Sequence, residues 1–337
     1  MPKNHATLAD IAREVGVSIS AVSKALSNGG GETTKISAAT KARIEKAARE
    51  MRYTPSDVAR MMHGGQSKMV GILFPNIAEA FYTGVVRHLV DMIGEHGFLS
   101  ISASWHDNSG FAKAYEAIMR YRPAGIISCH ADCEYQPCTP TILYGNVRKE
   151  YDYVEYSQGG HRAEAVKYLE SLGHRRIGFL SSFSQKGNIA EQLNVHLGDE
   201  RWNIKCDNSF DAGADAAKNL LALPQSERPT AIVCFNDTAA IGLISGLTSG
   251  GLSVPRDISV TGSDNLPIAC HYNPPLTTFD MRAREVASNL VELLFRRMDN
   301  PEAPLEKRTI VPSFIIRQSC SSPLQEHKRS LRNDETK

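Results

Sequence analysis

Two textures of hydrophobic patterning divide the chain. From Lys68 onward, short apolar runs alternate with stretches whose apolar residues recur every three or four positions. The runs are KMVGILF (68–74), FLSISA (98–103), GIISC (125–129), TILYG (141–145), GHRRIGFLS (173–181), AIVCF (231–235), ISVTG (258–262) and TIVPSFI (309–315). Helix-period segments fall between them, ending near His96 and covering 110–121, 159–172, 212–222, 238–249 and 282–298. Runs apolar on both faces belong inside a sheet, and their alternation with helices predicts an α/β architecture of parallel strands covered by helices. About 250 residues of this kind make one large domain or two smaller ones.

Residues 7–53 read instead as three short helices. Thr7 and Asp10 have capping-box spacing, in which hydroxyl and carboxylate satisfy amides left open at a helix start. Leu8, Ile11, Ala12 and Val15 then share one face. Gly16 permits a tight turn. Ser18 caps a second helix with Ala21, Val22, Ala25 and Leu26 inward, and Ser37 caps a third with Ile44, Ala47, Ala48 and Met51 inward. Pro55 ends the unit. SDVARMMHGGQ (56–66) is a helix candidate too short to stand alone in water, so it reads as a linker that is helical only when supported. The polar residues after Pro323 read as a disordered tail.

Composition adds little until its distribution is considered. Apolar content of 42% and charged content of 22% are those of an ordinary soluble globular protein, and 337 residues allow two or three domains. Net charge is +1, which names no partner. Residues 1–66, however, hold ten Lys/Arg against six Asp/Glu, while the remainder holds 28 against 31, so the basic segment is the helical one. No apolar run approaches the length of a membrane span and MPKNHATLADIAREV has no signal core, so a cytoplasmic protein without membrane contact is expected. Seven cysteines, an odd number, suit reduced thiols there.

The basic segment has the outline of a helix–turn–helix: two short helices about a tight turn, with the start of the second exposed. Ser18, Ile19, Ser20, Ser23 and Lys24 lie on its outer side. Small hydroxyls approach phosphates and base edges closely, Lys24 reaches phosphate or guanine, and Ile19 suits a thymine methyl. The plainer alternative is a small bundle with a solvated serine face.

An ordered set of segments carries a resemblance. TLADIAREVGVS (7–18), AVSKAL (21–26), ISAATKARI (36–44) and MRYTPSDVARMM (51–62) are similar to the DNA-binding headpiece of the lactose/galactose-repressor (LacI/GalR) family of bacterial transcription regulators. The similarity continues through VGILFPNI (70–77), Ala80-Phe81-Tyr82, YLESLGHRRIGF (168–179), RPTAIVCFND (228–237), VPRDISVTGSD (254–264) and PPLTT (274–278). The resemblance implies a headpiece (1–55), a hinge helix (56–67), and a two-lobed core of doubly wound sheets like the periplasmic sugar-binding proteins (68–322), then the tail (323–337). It implies a homodimer on a palindromic double-stranded operator, its affinity set by a small, carbohydrate-like effector. By position it makes Ile19, Ser20 and Lys24 base readers and Ser18 and Ser23 phosphate contacts, with Thr7 and the hinge residue Ala59 also at the DNA. Met62 stands where the family usually has a leucine wedged into the minor groove; an unbranched apolar side chain still unstacks bases.

In the core, chemistry-bearing residues collect where strands end, the place where such sheets bind ligands. Asn76, Asn236, Asp237 and Asp264 offer hydroxyl-binding groups, and Phe81 and Tyr82 offer stacking faces. The alternatives are that Asn236 and Asp237 cap a helix and that the two rings are core. The family commonly carries an arginine after the strand matching IGFLS; FSQKGNIAEQLNVHLGD (183–199) has none, leaving Lys186 as a substitute. Tyr156 stands where an aspartate is common and Glu79 where an asparagine is.

The cluster Cys129–Cys138, with Cys133, His130 and two acids, has soft metal ligands but not paired C-x2-C spacing, so loop thiols are expected over a metal site or a redox pair. No phosphate loop, G-x-G-x-x-G or G-x-S-x-G is present, and no cofactor or catalytic constellation is called for. A ligand-responsive repressor is therefore the leading reading. A solute-binding protein would lack the headpiece and carry an export signal, and an enzyme would need catalytic groups at the strand ends.

Overall fold

The structure is a computed structural model and describes residues 6–26, 36–54, 67–75, 79–105, 110–129, 139–145, 150–157, 161–183 and 199–324. The chain forms two compact units, Met1–Ser67 and Lys68–Lys337.

The first unit holds helices α1 (Leu8–Val15), α2 (Ile19–Leu26) and α3 (Ala38–Glu50). Ile11, Val22 and Ile44, one from each helix, have no exposed surface and meet at its centre, ringed by Ala12, Val15, Ala25, Ala47 and Ala48. The caps form as expected. The Asp10 amide donates to Thr7 Oγ1 at 3.3 Å while the Thr7 amide donates to Asp10 Oδ2 at 3.0 Å. Ser18 Oγ accepts from the Ala21 amide and Ser37 Oγ from the Thr40 amide, each at 3.1 Å. Gly16 is left-handed (φ 73°), and its amide returns to the Ala12 carbonyl at 2.9 Å. Arg43 donates to the Val15 carbonyl at 2.7 Å, pinning α3 to the turn.

The second unit opens with β1 (Met69–Pro75), α4 (Ala80–Glu95), β2 (Leu99–Trp105), α5 (Gly110–Met119), β3 (Gly125–Cys129), β4 (Thr141–Tyr144) and β5 (Asp152–Tyr156). It continues with α6 (His161–Ser171), β6 (Ile177–Ser182), β7 (Asn203–Cys206), α7 (Phe210–Leu221), β8 (Ala231–Cys234), α8 (Asp237–Ser249) and β9 (Ser259–Thr261). Last come β10 (Thr278–Asp280), α9 (Ala283–Asp299), β11 (Lys307–Ile310) and β12 (Ser313–Ile315). A six-stranded sheet runs β11-β5-β4-β3-β1-β2 and a four-stranded sheet β7-β6-β8-β9, each parallel throughout; β10 pairs antiparallel with β12.

These sheets are the centres of two lobes. In the first, Val70, Ile72 and Phe74 face α4 and α9, and Leu73 faces α5, the period-2 alternation of a strand buried on both sides. The second gathers Phe179, Leu180, Val233 and Val260 against α6, α7 and α8. There α7 and α8 touch through glycines: a Cβ at Gly242 would fall onto the Phe210 carbonyl.

Sheet membership shows the chain crossing between lobes three times: from β5 to α6, from β10 to α9, and from β11 to β12. The last crossing splits the run TIVPSFI. Pro312, which lacks an amide donor, ends one strand, and the next residues join the other lobe. β5, β7 and β10 are strands that the hydrophobic pattern does not announce.

Candidate nucleic-acid interface and ligand cleft

On α2 the burial is one-sided. Val22 and Ala25 point into the three-helix core, while Ser18, Ile19, Ser20, Ser23 and Lys24 are exposed. Ile19 is 53% exposed, an apolar side chain standing in solvent between hydroxyls. The Ser18 hydroxyl faces solvent as well as capping α2. The Thr7 hydroxyl is tied into its capping box, donating to Asp10 Oδ2 at 2.7 Å. Ala59 and Met62 lie outside the described residues.

The crossings of the second unit meet around a group of aromatic rings. Phe81 and Tyr82, in the first turn of α4, lie 5.8 Å apart, and Tyr82 stands edge-on to Phe74 at 5.7 Å. Phe74 stacks on Tyr144 at 6.0 Å, and Tyr144 donates to the Tyr156 hydroxyl at 3.1 Å. Tyr156 in turn donates to the Met281 carbonyl at 2.7 Å, joining the first crossing to the second. Phe81 and Tyr156 pack against the cores of both lobes, so this is where the lobes face each other.

Charged groups cluster at the same place. Burial, with help from the neighbouring Asp237 and Glu79, pushes the Asp264 carboxyl well above the usual range, and Arg162 opposes this only in part. Burial also raises the Tyr82 hydroxyl and the Cys129 thiol. His161 is held down at about 4, chiefly by burial and then by the adjacent Arg162. Arg162 is drawn below its ordinary value by burial. Asp264 and Asn265 have φ of 120° and 53°, and Arg282 at the second crossing has 53°, so left-handed backbone is concentrated at this junction.

Not every expected contact opens onto this cleft. Asn236 caps α8, accepting from the Ala239 amide at 2.9 Å and donating to Asn208 at 2.5 Å. Asp237 has no exposed surface. Its oxygens accept from the Leu266 amide at 2.8 Å and the Thr278 hydroxyl at 2.5 Å, so the expected effector contact there gives way to a tie between strand ends. Burial, the largest influence, lifts its carboxyl to about 7. Asn76, Lys186, Cys133 and Cys138 lie outside the described residues. Arg162, His161 and Tyr144 also lie at this junction, and sequence reasoning passed over them. Among the described residues no group of His, Cys, Asp and Glu could hold a metal ion, and no helix is long and apolar enough to cross a membrane.

Residues 7–56 match the bacterial regulatory proteins of the lacI family, and residues 166–320 match the periplasmic binding protein-like domain. The chain carries a lacI-family regulatory domain followed by a periplasmic binding protein-like domain. Its relatives include the HTH-type transcriptional repressor CytR of Escherichia coli strain K12, 29% identical over 333 residues, covering 93% of this chain and 96% of that one. The HTH-type transcriptional repressor PurR of Vibrio vulnificus strain CMCP6 is 28% identical, covering 93% and 98%. Among solved structures, the Lac repressor dimer bound to operator and the anti-inducer ONPF aligns at TM-score 0.78 with 22% identity, over 94% of this chain and 99% of that one. The transcriptional regulator CelR–cellobiose complex aligns at 0.65 with 21% identity, over 93% and 99%. At such identities these two likenesses are of fold. The LacI-family fold thus accounts for both the three-helix unit and the two lobes.

Proposed function

We propose that this chain is a transcription repressor that reads a palindromic operator through α2 and releases or grips it according to a small molecule held between the lobes. The observation that carries this is the outward strip Ile19, Ser20, Ser23 and Lys24, seated on the buried Val22 and Ala25. A solvated helix face seldom keeps a half-exposed isoleucine amid serines for its own sake, whereas a major groove offers thymine methyls and phosphates to that mixture.

The second unit supplies the sensing half. Groups that bind hydroxyls and rings that stack on a carbon skeleton converge at the lobe junction, where Asp264, Phe81, Tyr82 and Tyr156 come together. A ligand there biases lobe closure, a two-state element coupled to the DNA by linkage. Dimerisation supplies the second half-site, and α4 and the edge strand β2 expose Val90 and Leu99 for it. Genome-wide mapping of DNA bound by the chain tests the reading: enriched sites should share one palindrome, and their absence would overturn it.

A further inference from the structure

We propose that the cleft takes an acidic sugar or related polyol acid, its carboxylate or phosphate ester seated on Arg162 and its hydroxyls on Asp264. The proposal rests on the effector-controlled reading above and names the chemistry of that effector.

Arg162 is the second residue of α6, where the chain has just crossed from the first lobe. Its Nε is fully enclosed and has no hydrogen-bond partner, and no carboxylate forms an ion pair with it among the described residues. Arg297, by contrast, holds Asp152 at 2.8 Å. Arginine stays charged in any ordinary environment, and an enclosed donor without a partner, such as this Nε, costs free energy. The first turn of a helix is also the wrong end for a cation, because the helix dipole is positive there. His161 beside it avoids the conflict by remaining neutral. Arg162 does not, so two unfavourable placements coincide in one residue. An oxyanion relieves both: it pairs with the guanidinium in the planar fork geometry and meets the dipole with the favoured sign.

Asp264 acts on Arg162 electrostatically, yet no hydrogen bond or ion pair joins the two. Burial pushes the Asp264 carboxyl above its usual range, and a carboxyl pairs with a hydroxyl as acceptor or, when protonated, as donor. The rings of Phe81, Tyr82 and Tyr156 supply apolar faces for carbon–hydrogen surface. A neutral sugar satisfies Asp264 and the rings but leaves the guanidinium unmatched. The span 183–199, where the family commonly carries an arginine, has none, so Arg162 brings that charge from another element.

The test uses the full chain, with binding followed by calorimetry and thermal shift. Probes are D-gluconate and D-glucuronate as carboxylates, D-glucose 6-phosphate as the phosphate ester, and D-glucose as the neutral counterpart. At least one acid should bind, with glucose at least about tenfold weaker, as loss of a charge-assisted pair predicts. Arg162→Ala should lose the preference for acids while melting no lower than the wild type without ligand, and Arg162→Lys should keep part of it. Glucose binding as tightly as its acids, acids ignored by the wild type, undiminished acid binding by Arg162→Ala, or a clearly lower melting point of that variant without ligand each overturns the proposal. Operator binding is measured in parallel without ligand. A chain that binds its palindrome but no acid refutes only the ligand class, whereas one that binds no palindrome refutes the regulator reading.

Discussion

Replacing Gly16 by alanine separates the seating of α2 from the side chains it displays. Gly16 holds φ 73° and ψ 39° while its amide and that of Val17 both return to the Ala12 carbonyl, at 2.9 and 3.0 Å. Nothing lies within 4 Å of a Cβ added there. The cost is therefore the left-handed backbone alone, about 1–2 kcal/mol for an ordinary residue. Alanine also restricts the unfolded chain, which adds nothing favourable where its preferred backbone is not the native one. At about 1 kcal/mol, local opening of the headpiece becomes roughly fivefold more frequent. Hydrogen exchange on the full chain reads this directly. Protected amides of α1, α2 and α3 should exchange about fivefold faster, and those of the sheets in Lys68–Lys337 should not change. Asparagine, which tolerates the left-handed region, should fall between glycine and alanine. Wild-type exchange in Gly16→Ala would refute the claim that this turn is set by glycine's conformational freedom. An equal loss of protection in both units would refute the claim that the cost is local to this turn.

Lys24→Ala should weaken operator binding and flatten its salt dependence by about one unit of log–log slope, the signature of one lost phosphate contact; unchanged affinity in a salt-controlled titration rejects the assignment. His161→Gln should protect against acid. The native histidine titrates at about 4 instead of its usual 6.5. Unfolded chains thus take up a proton first, and stability is lost as pH falls through 6.5 toward 4. Between pH 7.5 and 5.0 the wild type should lose about 2 kcal/mol more than the variant. Comparing the two cancels the raised Asp237, which acts with the opposite sign because its stabilisation is lost as pH rises from the unfolded carboxylate value toward 7. Parallel denaturant melts at the two pH values check the difference. Asp152→Ala should cost about 3–5 kcal/mol by denaturant melt, because it leaves Arg297 buried without the carboxylate it holds at 2.8 Å.

What the sequence revealed followed the range over which its signals act. Caps, the Gly16 turn and the inward face of α2 are decided by residues within four positions of one another, so the headpiece face was legible from TLADIAREVGVSISAVSKAL alone. β5 was not. DYVEY carries two acids in five residues and looks exposed, yet Asp152 and Glu155 are buried because Arg297 and Lys307, more than 140 residues away, neutralise them. The same holds for TIVPSFI, a single apolar run that serves two sheets because each half pairs with a strand remote in sequence.

The lobe junction was legible in place, but the direction of its side chains was not. Ending a strand brings a residue to the lobe junction, and this located Asp264 and the Asn236-Asp237 pair. Whether a side chain then faces the ligand or the fold depends on partners such as Thr278 and Leu266, which local pattern cannot supply. Arg162 did leave a local trace. An arginine at the second position of a helix runs against the dipole, even with Glu164 two residues on. A fold gains nothing from that arrangement. A site that must hold an anion does, and the enclosed, unmatched Nε is the structural form of the same exception. Where a sequence breaks a rule of local stability and the structure offers no compensating contact, the missing partner is best sought among ligands.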